Sequence, residues 1–250
     1  MAKIQQITSS LYQIGLGAVN AFFIKDNGLT LVDTGYPDSL PTVFRALQQA
    51  GEDPQTIRRV ILTHAHPDHA GSAAAIKQTL GVPVLAHQLE APLLEAGISG
   101  RSPIYRSPGV VNWLVYNLFI KGGDGKIAAV EVDERLSHGE VLPIAGGLQV
   151  LHTPGHSVGH IALLLMNEGV LIAGDLCANV VGLDLSTVYE DRALGIKSLL
   201  AVSELTFDKA VFGHGSPLRQ QANRRIKVKF EPMRKDQFDG AVTSFNREGS

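Results

Sequence analysis

Short apolar runs, punctuated by glycine and turn residues, set the rhythm of the first half of the chain. Runs at 21–24 and 29–32 flank Asp26-Asn27-Gly28. That combination predicts a β-hairpin, because asparagine and glycine tolerate the positive φ of a tight turn. From 41 to 50 the period changes: Val43, Leu47 and Ala50, with Phe44, share a helical face, and Gly51 is placed to end the helix. "RRVILT" at 58–63 then reads as a buried strand, 72–80 as a helix stopped by Gly81, and "VPVLAH" at 82–87 as another strand. Strand, helix, strand is a βαβ unit.

Beyond Gln88 the pattern loosens into short helical stretches broken by glycine and proline, and residues 92–121 read as an insertion rather than a domain. It carries the chain's one tryptophan, Trp113, with Tyr105, Tyr116 and Phe119. Such a segment has apolar surface to bury, either as a cover on the substrate side of a site or as a contact between two copies. From Val130 short strands return in "LQVLHT", "HIALLLM", "GVLIAGD" and "AVFGHG", with a helix at 193–205 between the last two. The stretch from about 219, "RQQANRRIKVKF", is basic and polar and reads as a solvated terminal helix or strand. Together these elements predict one α/β domain over 1–250.

Composition narrows the function classes. With 250 residues and 44% hydrophobic content the chain can bury a sizeable core. A net charge of -2 provides no general field for nucleic acid or an anionic membrane, so neither is expected as a partner. A small-molecule substrate is expected instead, and a homodimer stays open. The start "MAKIQQITSS" lacks the apolar run of a secretory signal. The longest apolar stretch, at 110–120, is too short to span ~30 Å of hydrocarbon. A lone cysteine, Cys177, allows no internal disulfide and reads as a small buried hydrophobe. The expected location is the cytoplasm.

The chemistry concentrates in "THAHPDHAG" at 63–71, in a chain with nine histidines altogether. His64 and His66 are two apart and cannot share a helix face, and Pro67 would break a helix there. On extended chain His64, His66 and Asp68 would share one side and His69 the other. A turn at Pro67, with Asp68 and His69 opening the next helix, splits the four into two pairs, which suits two neighbouring metals. His156 in "TPGHSVGH", Asp175 in "LIAGDL" and His214 in "VFGHGS" each follow an apolar run beside glycine. Four strands therefore deliver ligand side chains at their C-terminal ends, where sites collect in layered α/β folds. Five imidazoles and two carboxylates suit zinc or a similar first-row ion better than magnesium or calcium. Asp33 in "LVDTG" is expected to fix loop backbone near the site, and His152 and His160 to orient the loop around His156. His87 and His138 read as ordinary polar residues.

The H-x-H-x-D-H element, the separate His156, Asp175 and His214, and "LVDTG" and "TPGHSVGH" together resemble the metallo-β-lactamase fold superfamily from about residue 11 to 216. The resemblance implies a four-layer αββα sandwich with the site at one edge of two sheets. It also implies roles: His64, His66 and His156 on one metal, Asp68, His69 and His214 on a second, and Asp175 bridging both. Two divalent ions, zinc with iron or manganese as alternatives, would lower the pKa of a shared water from about 15.7 to about 7 and supply hydroxide at neutral pH. Asp68 and Asp175 would orient it.

Departures from individual members shape the expected reaction. A glutathione-thioesterase member would carry a long C-terminal helical domain, which the stretch after His214 leaves no room for. Zinc β-lactamases put cysteine in place of Asp175 or a second histidine in place of Ala70. Acyl-homoserine lactonases carry a tyrosine shortly after the bridging aspartate, where this chain reads "DLCANVV"; only Tyr189, by folding back, could substitute. The expectation is a dinuclear hydrolase of a small ester, thioester or lactone. A mononuclear iron persulfide dioxygenase, a lactamase-like or phosphodiester hydrolase, and a non-catalytic module on the same scaffold are the alternatives.

Overall fold

A computed structural model describes residues 3–102, 104–123 and 125–234. Two sheets form its middle. The first has seven strands in the order Lys3–Gln6, Leu11–Gly15, Asn20–Lys25, Leu29–Val32, Ile57–Leu62, Val84–His87 and Glu134–Leu136, antiparallel through the first four and parallel thereafter. The second runs Lys209–Val211, Val170–Ile172, Ile161–Leu165, Leu148–His152 and Val141–Leu142, antiparallel except for its first pair.

The continuous apolar runs follow from burial on both faces. In Asn20–Lys25, Phe22 and Ile24 enter the layer between the sheets, where they meet Val150, Leu163 and Ile172 of the second sheet. Phe23, pointing the other way, packs with Val43 and Leu47 of the helix Leu40–Gln49 and with Ile76 of Ala73–Leu80. A third apolar layer joins the outer face of the second sheet, through Leu171 and Ala210, to Leu199 of Arg192–Ser203 and to Ile226 and Phe230 of Ala222–Phe230. Each fully buried large side chain contributes about 1.5–3 kcal/mol relative to exposure. Three apolar layers between four layers of elements make the αββα sandwich.

The predicted hairpin is present, with Phe22 opposite Val32 and a turn in which Asn27 and Gly28 both have positive φ. Gly81, at φ 66°, caps the helix that it was expected to stop. The 222–230 helix corrects the solvated reading of the basic stretch: Ala222, Ile226 and Phe230, four residues apart, are buried while its charges face outward. Among the described residues no helix is long and apolar enough to cross a membrane.

Candidate metal centre

Each candidate ligand follows the end of a strand of the central sandwich. His64 and His66 follow Ile57–Leu62, His156 follows Leu148–His152, Asp175 follows Val170–Ile172, and His214 follows Lys209–Val211. Pro67 starts the single helical turn Pro67–Ala70, which turns Asp68 and His69 away from the extended pair. The loops meet at one edge of the sandwich. His64 Nε2, His66 Nδ1 and His156 Nε2 lie 2.9–3.2 Å from one another. His214 Nε2 is 3.3 Å from Asp68 Oδ2 and 3.2 Å from Asp175 Oδ2, and His69 Nε2 is 3.4 Å from Asp175 Oδ1. Asp175 Oδ2 is also 3.6 Å from His156 Nε2, so one carboxylate faces both groups.

Outer hydrogen bonds fix which ring nitrogens point inward as bare lone pairs. His156 Nδ1 sits 2.8 Å from Val188 O and His214 Nδ1 2.8 Å from Ala18 O; a carbonyl only accepts, so both Nδ1 atoms carry the hydrogen. His69 Nδ1 donates to Asp33 Oδ2 at 2.9 Å. Thr63 Oγ1 gives its hydrogen to Asp33 and so accepts from His64 Nδ1 at 2.9 Å. In the neutral state of these four rings Nε2 therefore faces the cluster as a bare lone pair, the form in which a histidine binds a metal. Lone pairs this close repel one another unless a cation lies between them.

The donor set fits metal ions on that ground. A tetrahedral ion with nitrogens at about 2.0–2.1 Å spaces its ligands about 3.3 Å apart, close to the separations in the triad. His69 Nε2 and Asp175 Oδ1 are buried and find no hydrogen-bond partner in the protein. The two halves differ electrostatically. Burial, then the neighbouring imidazoles His69 and His66, keeps His64 neutral, and burial with His66 pulls His156 down to about 3. Burial opposes charge on His69 as well, yet Asp175, Asp68 and Asp33 push it up to about 10. Asp68 and Asp175 are held below the usual carboxylate range against their own burial, by His69 and His214. One half offers three imidazole nitrogens, two of them on rings whose pKa is lowered by burial, and the other offers two carboxylates and two imidazoles in a site that calls for positive charge.

Asp33 was expected to hold turn backbone. It accepts from Thr63 N at 2.8 Å, and in addition holds the His69 ring and, through Thr63, the His64 ring. His160 stands behind the cluster, with Nε2 accepting from Asp175 N at 3.0 Å. His87 is more than an ordinary polar residue: it stacks on His152 with ring centroids 4.1 Å apart. Cys177 is fully buried, and burial raises its thiol far above the range of a reactive cysteine.

The substrate-side candidates stand differently. Tyr189 is corrected to a core residue: it is fully buried, and its hydroxyl donates to Leu176 O at 2.8 Å and accepts from Ser186 N. Its ring lies edge-on to His156 on one side and so close to Gly195 on the other that a Cβ there would come within 2.5 Å. Tyr105 and Trp113 are 54% and 51% exposed, Tyr116 is partly buried, and the Phe119 side chain lies outside the described residues. The insertion approaches the site through backbone: Gly100 packs so near His66 that a Cβ would lie 3.0 Å from Nε2. Two residues escaped the sequence reading. Burial and then Asp68 raise the Tyr36 phenol, so it stays a proton donor near the carboxylates. Gly213 leaves no room for a side chain, because a Cβ would fall 2.1 Å from Asp175 Oδ1. A lone tyrosine or glycine beside a longer motif gives no signal of its own.

Comparison with known proteins agrees with this geometry. The family model of the metallo-beta-lactamase superfamily matches residues 14–214. The chain is 28% identical over 237 residues to the protein YobT of Bacillus subtilis (strain 168), covering 90% of this chain and 94% of that one. It is 26% identical over 133 residues to the hydroxyacylglutathione hydrolase GloC of Haemophilus influenzae, covering 53% and 55%. Its fold is similar to that of BJP-1, a subclass B3 metallo-beta-lactamase of Bradyrhizobium japonicum, with a TM-score of 0.69 at 21% identity over 97% of this chain and 96% of that one. With the matched region running from the first sheet to His214, the chain belongs to the metallo-beta-lactamase superfamily, whose members are metal-dependent hydrolases.

Proposed function

We propose that this chain is a dinuclear hydrolase of small esters, thioesters or lactones. The observation that carries the reading is the division of the donors: His64, His66 and His156 form one group, Asp68, His69 and His214 another, and Asp175 faces both. A single tetrahedral ion would leave the second group surplus. Two bound divalent ions, zinc foremost, would supply Lewis acidity toward a carbonyl oxygen and a lowered pKa for water.

The protein's own groups hold and orient. Carbonyls of Ala18 and Val188 and the carboxylate of Asp33 accept the outer Nδ1 hydrogens and so aim each Nε2 inward. Asp68 and Asp175 are too weakly basic, with carboxyls held low, to act as strong proton acceptors; their role is to orient an attacking water and balance charge. Exposed Val110, Val111, Trp113 and Leu114 on the insertion favour substrates with an apolar portion. The GloC likeness favours thioesters among the candidates.

A panel of lactone, thioester, phosphodiester and β-lactam substrates tests the reading. The expected result is turnover of lactones or thioesters that is abolished by a chelator and restored by zinc or manganese. Turnover confined to β-lactams or phosphodiesters would overturn it, as would turnover indifferent to chelation or oxidation of a persulfide by a protein carrying one iron.

A further inference from the structure

Glu90 is fully buried, is no part of the ligand cluster, and sits between the strand Val84–His87 and the helix Ala91–Ala96. Its Oε2 accepts from Ala65 N at 3.0 Å, the amide between His64 and His66. Its Oε1 accepts from Gly159 N at 3.0 Å, in the loop that carries His156, and from Arg101 Nη1 at 3.2 Å. One carboxylate thus grips both loops that form the histidine triad. Gly159 is fitted to it, since a Cβ there would meet Glu90 atoms at 2.8–2.9 Å.

Arg101 belongs to the insertion and ties it into the same grip. Its second guanidinium nitrogen donates to Leu89 O, and its backbone N–H donates to Glu190 Oε1 at 2.9 Å. Glu190 Oε2 in turn accepts from Val158 N at 2.8 Å, and Glu190 N donates to His156 O. The residue before Arg101, Gly100, is the one packed against His66. A buried carboxylate is tolerated only when its lone pairs and charge are met, so these contacts stand or fall as a network.

We infer that Glu90 and Arg101 are positioning residues that set the spacing of the His64, His66 and His156 nitrogens and couple the anchoring of the 92–121 insertion to metal retention in that half of the site. The inference rests on the reading of the three histidines as ligands. Glutamine at 90 would turn one acceptor into an NH2 group facing an N–H, releasing one of the two loops. Losing the Arg101 guanidinium would leave the Glu90 carboxyl short of one donor.

The test uses the full chain, loaded with zinc or cobalt, as wild type, Glu90→Gln, Arg101→Met and Arg101→Lys. Competition with a chromophoric chelator should show one of the two ions held roughly tenfold more weakly in Glu90→Gln, within the range found when residues behind metal ligands are changed. Arg101→Met, at a partly exposed position, should weaken it several-fold, and Arg101→Lys should recover part of the loss. The visible spectrum of the cobalt form should shift in Glu90→Gln and Arg101→Met, a signature that mere loss of stability would not produce. Variants that match wild type in affinity and spectrum, whatever their melting temperature, overturn the clamp alone. A wild-type chain that takes up no metal overturns the metal assignment as well.

Discussion

Replacing Asp175 by asparagine is expected to lower kcat/KM by about a thousandfold or more and to strip both ions from the protein. The side chain keeps its size, so the packing around it survives; what disappears is the charge that faces His69, His214 and His156 at 3.2–3.6 Å. Lewis-acid stabilisation amounts to several kcal/mol, and each 1.36 kcal/mol is a factor of ten in rate. Without that charge, two cations would share a cluster with the single carboxylate of Asp68. The metal-free variant should keep its fold, measured by circular dichroism, because the backbone bond from Asp175 N to His160 does not involve the side chain. A variant that binds two ions and turns over substrate at the wild-type rate would overturn the bridging role proposed for Asp175.

Asp33→Asn should have the next largest effect, up to about a hundredfold in metal affinity or activity, although Asp33 belongs to neither ligand group. Its two oxygens hold the His69 ring directly and the His64 ring through Thr63, one ligand in each half of the site. An amide keeps one acceptor and presents a donor in place of the other, so one of the two rings loses the bond that fixes its tautomer. The measurement is zinc affinity by chelator competition, with the ion whose histidine loses that bond expected to weaken. If only the melting temperature falls, Asp33 serves the loop backbone alone.

The parts of the site that were legible in the sequence share a reason. His64, His66, Asp68 and His69 stand in one short motif, and His156, Asp175 and His214 each follow an apolar run beside glycine. Strand direction alone therefore placed them at one edge. The three apolar layers were legible for a similar reason, since runs such as Phe22, Phe23 and Ile24 can be satisfied only by burial on both faces. Glu90 and Arg101 were not legible: their partners are backbone N–H groups and a distant carboxylate, and no residue pattern announces a bond to a main-chain amide. Tyr189 could be reached by sequence only as a distance from Asp175, whereas its hydroxyl is committed to Leu176 and Ser186. The buried stripe of Ala222, Ile226 and Phe230 was present at helical spacing, but the lysines and arginines between them dominated the reading.

The central claim is that two metal ions share this site, and metal content per chain tests it most directly. Wild-type protein purified without chelator and measured by elemental analysis should carry about two zinc-like ions, and His214→Ala, which removes one ligand from the Asp68 and His69 group, should carry about one. A wild-type chain with a single ion, or a variant whose stoichiometry does not change, would contradict the account.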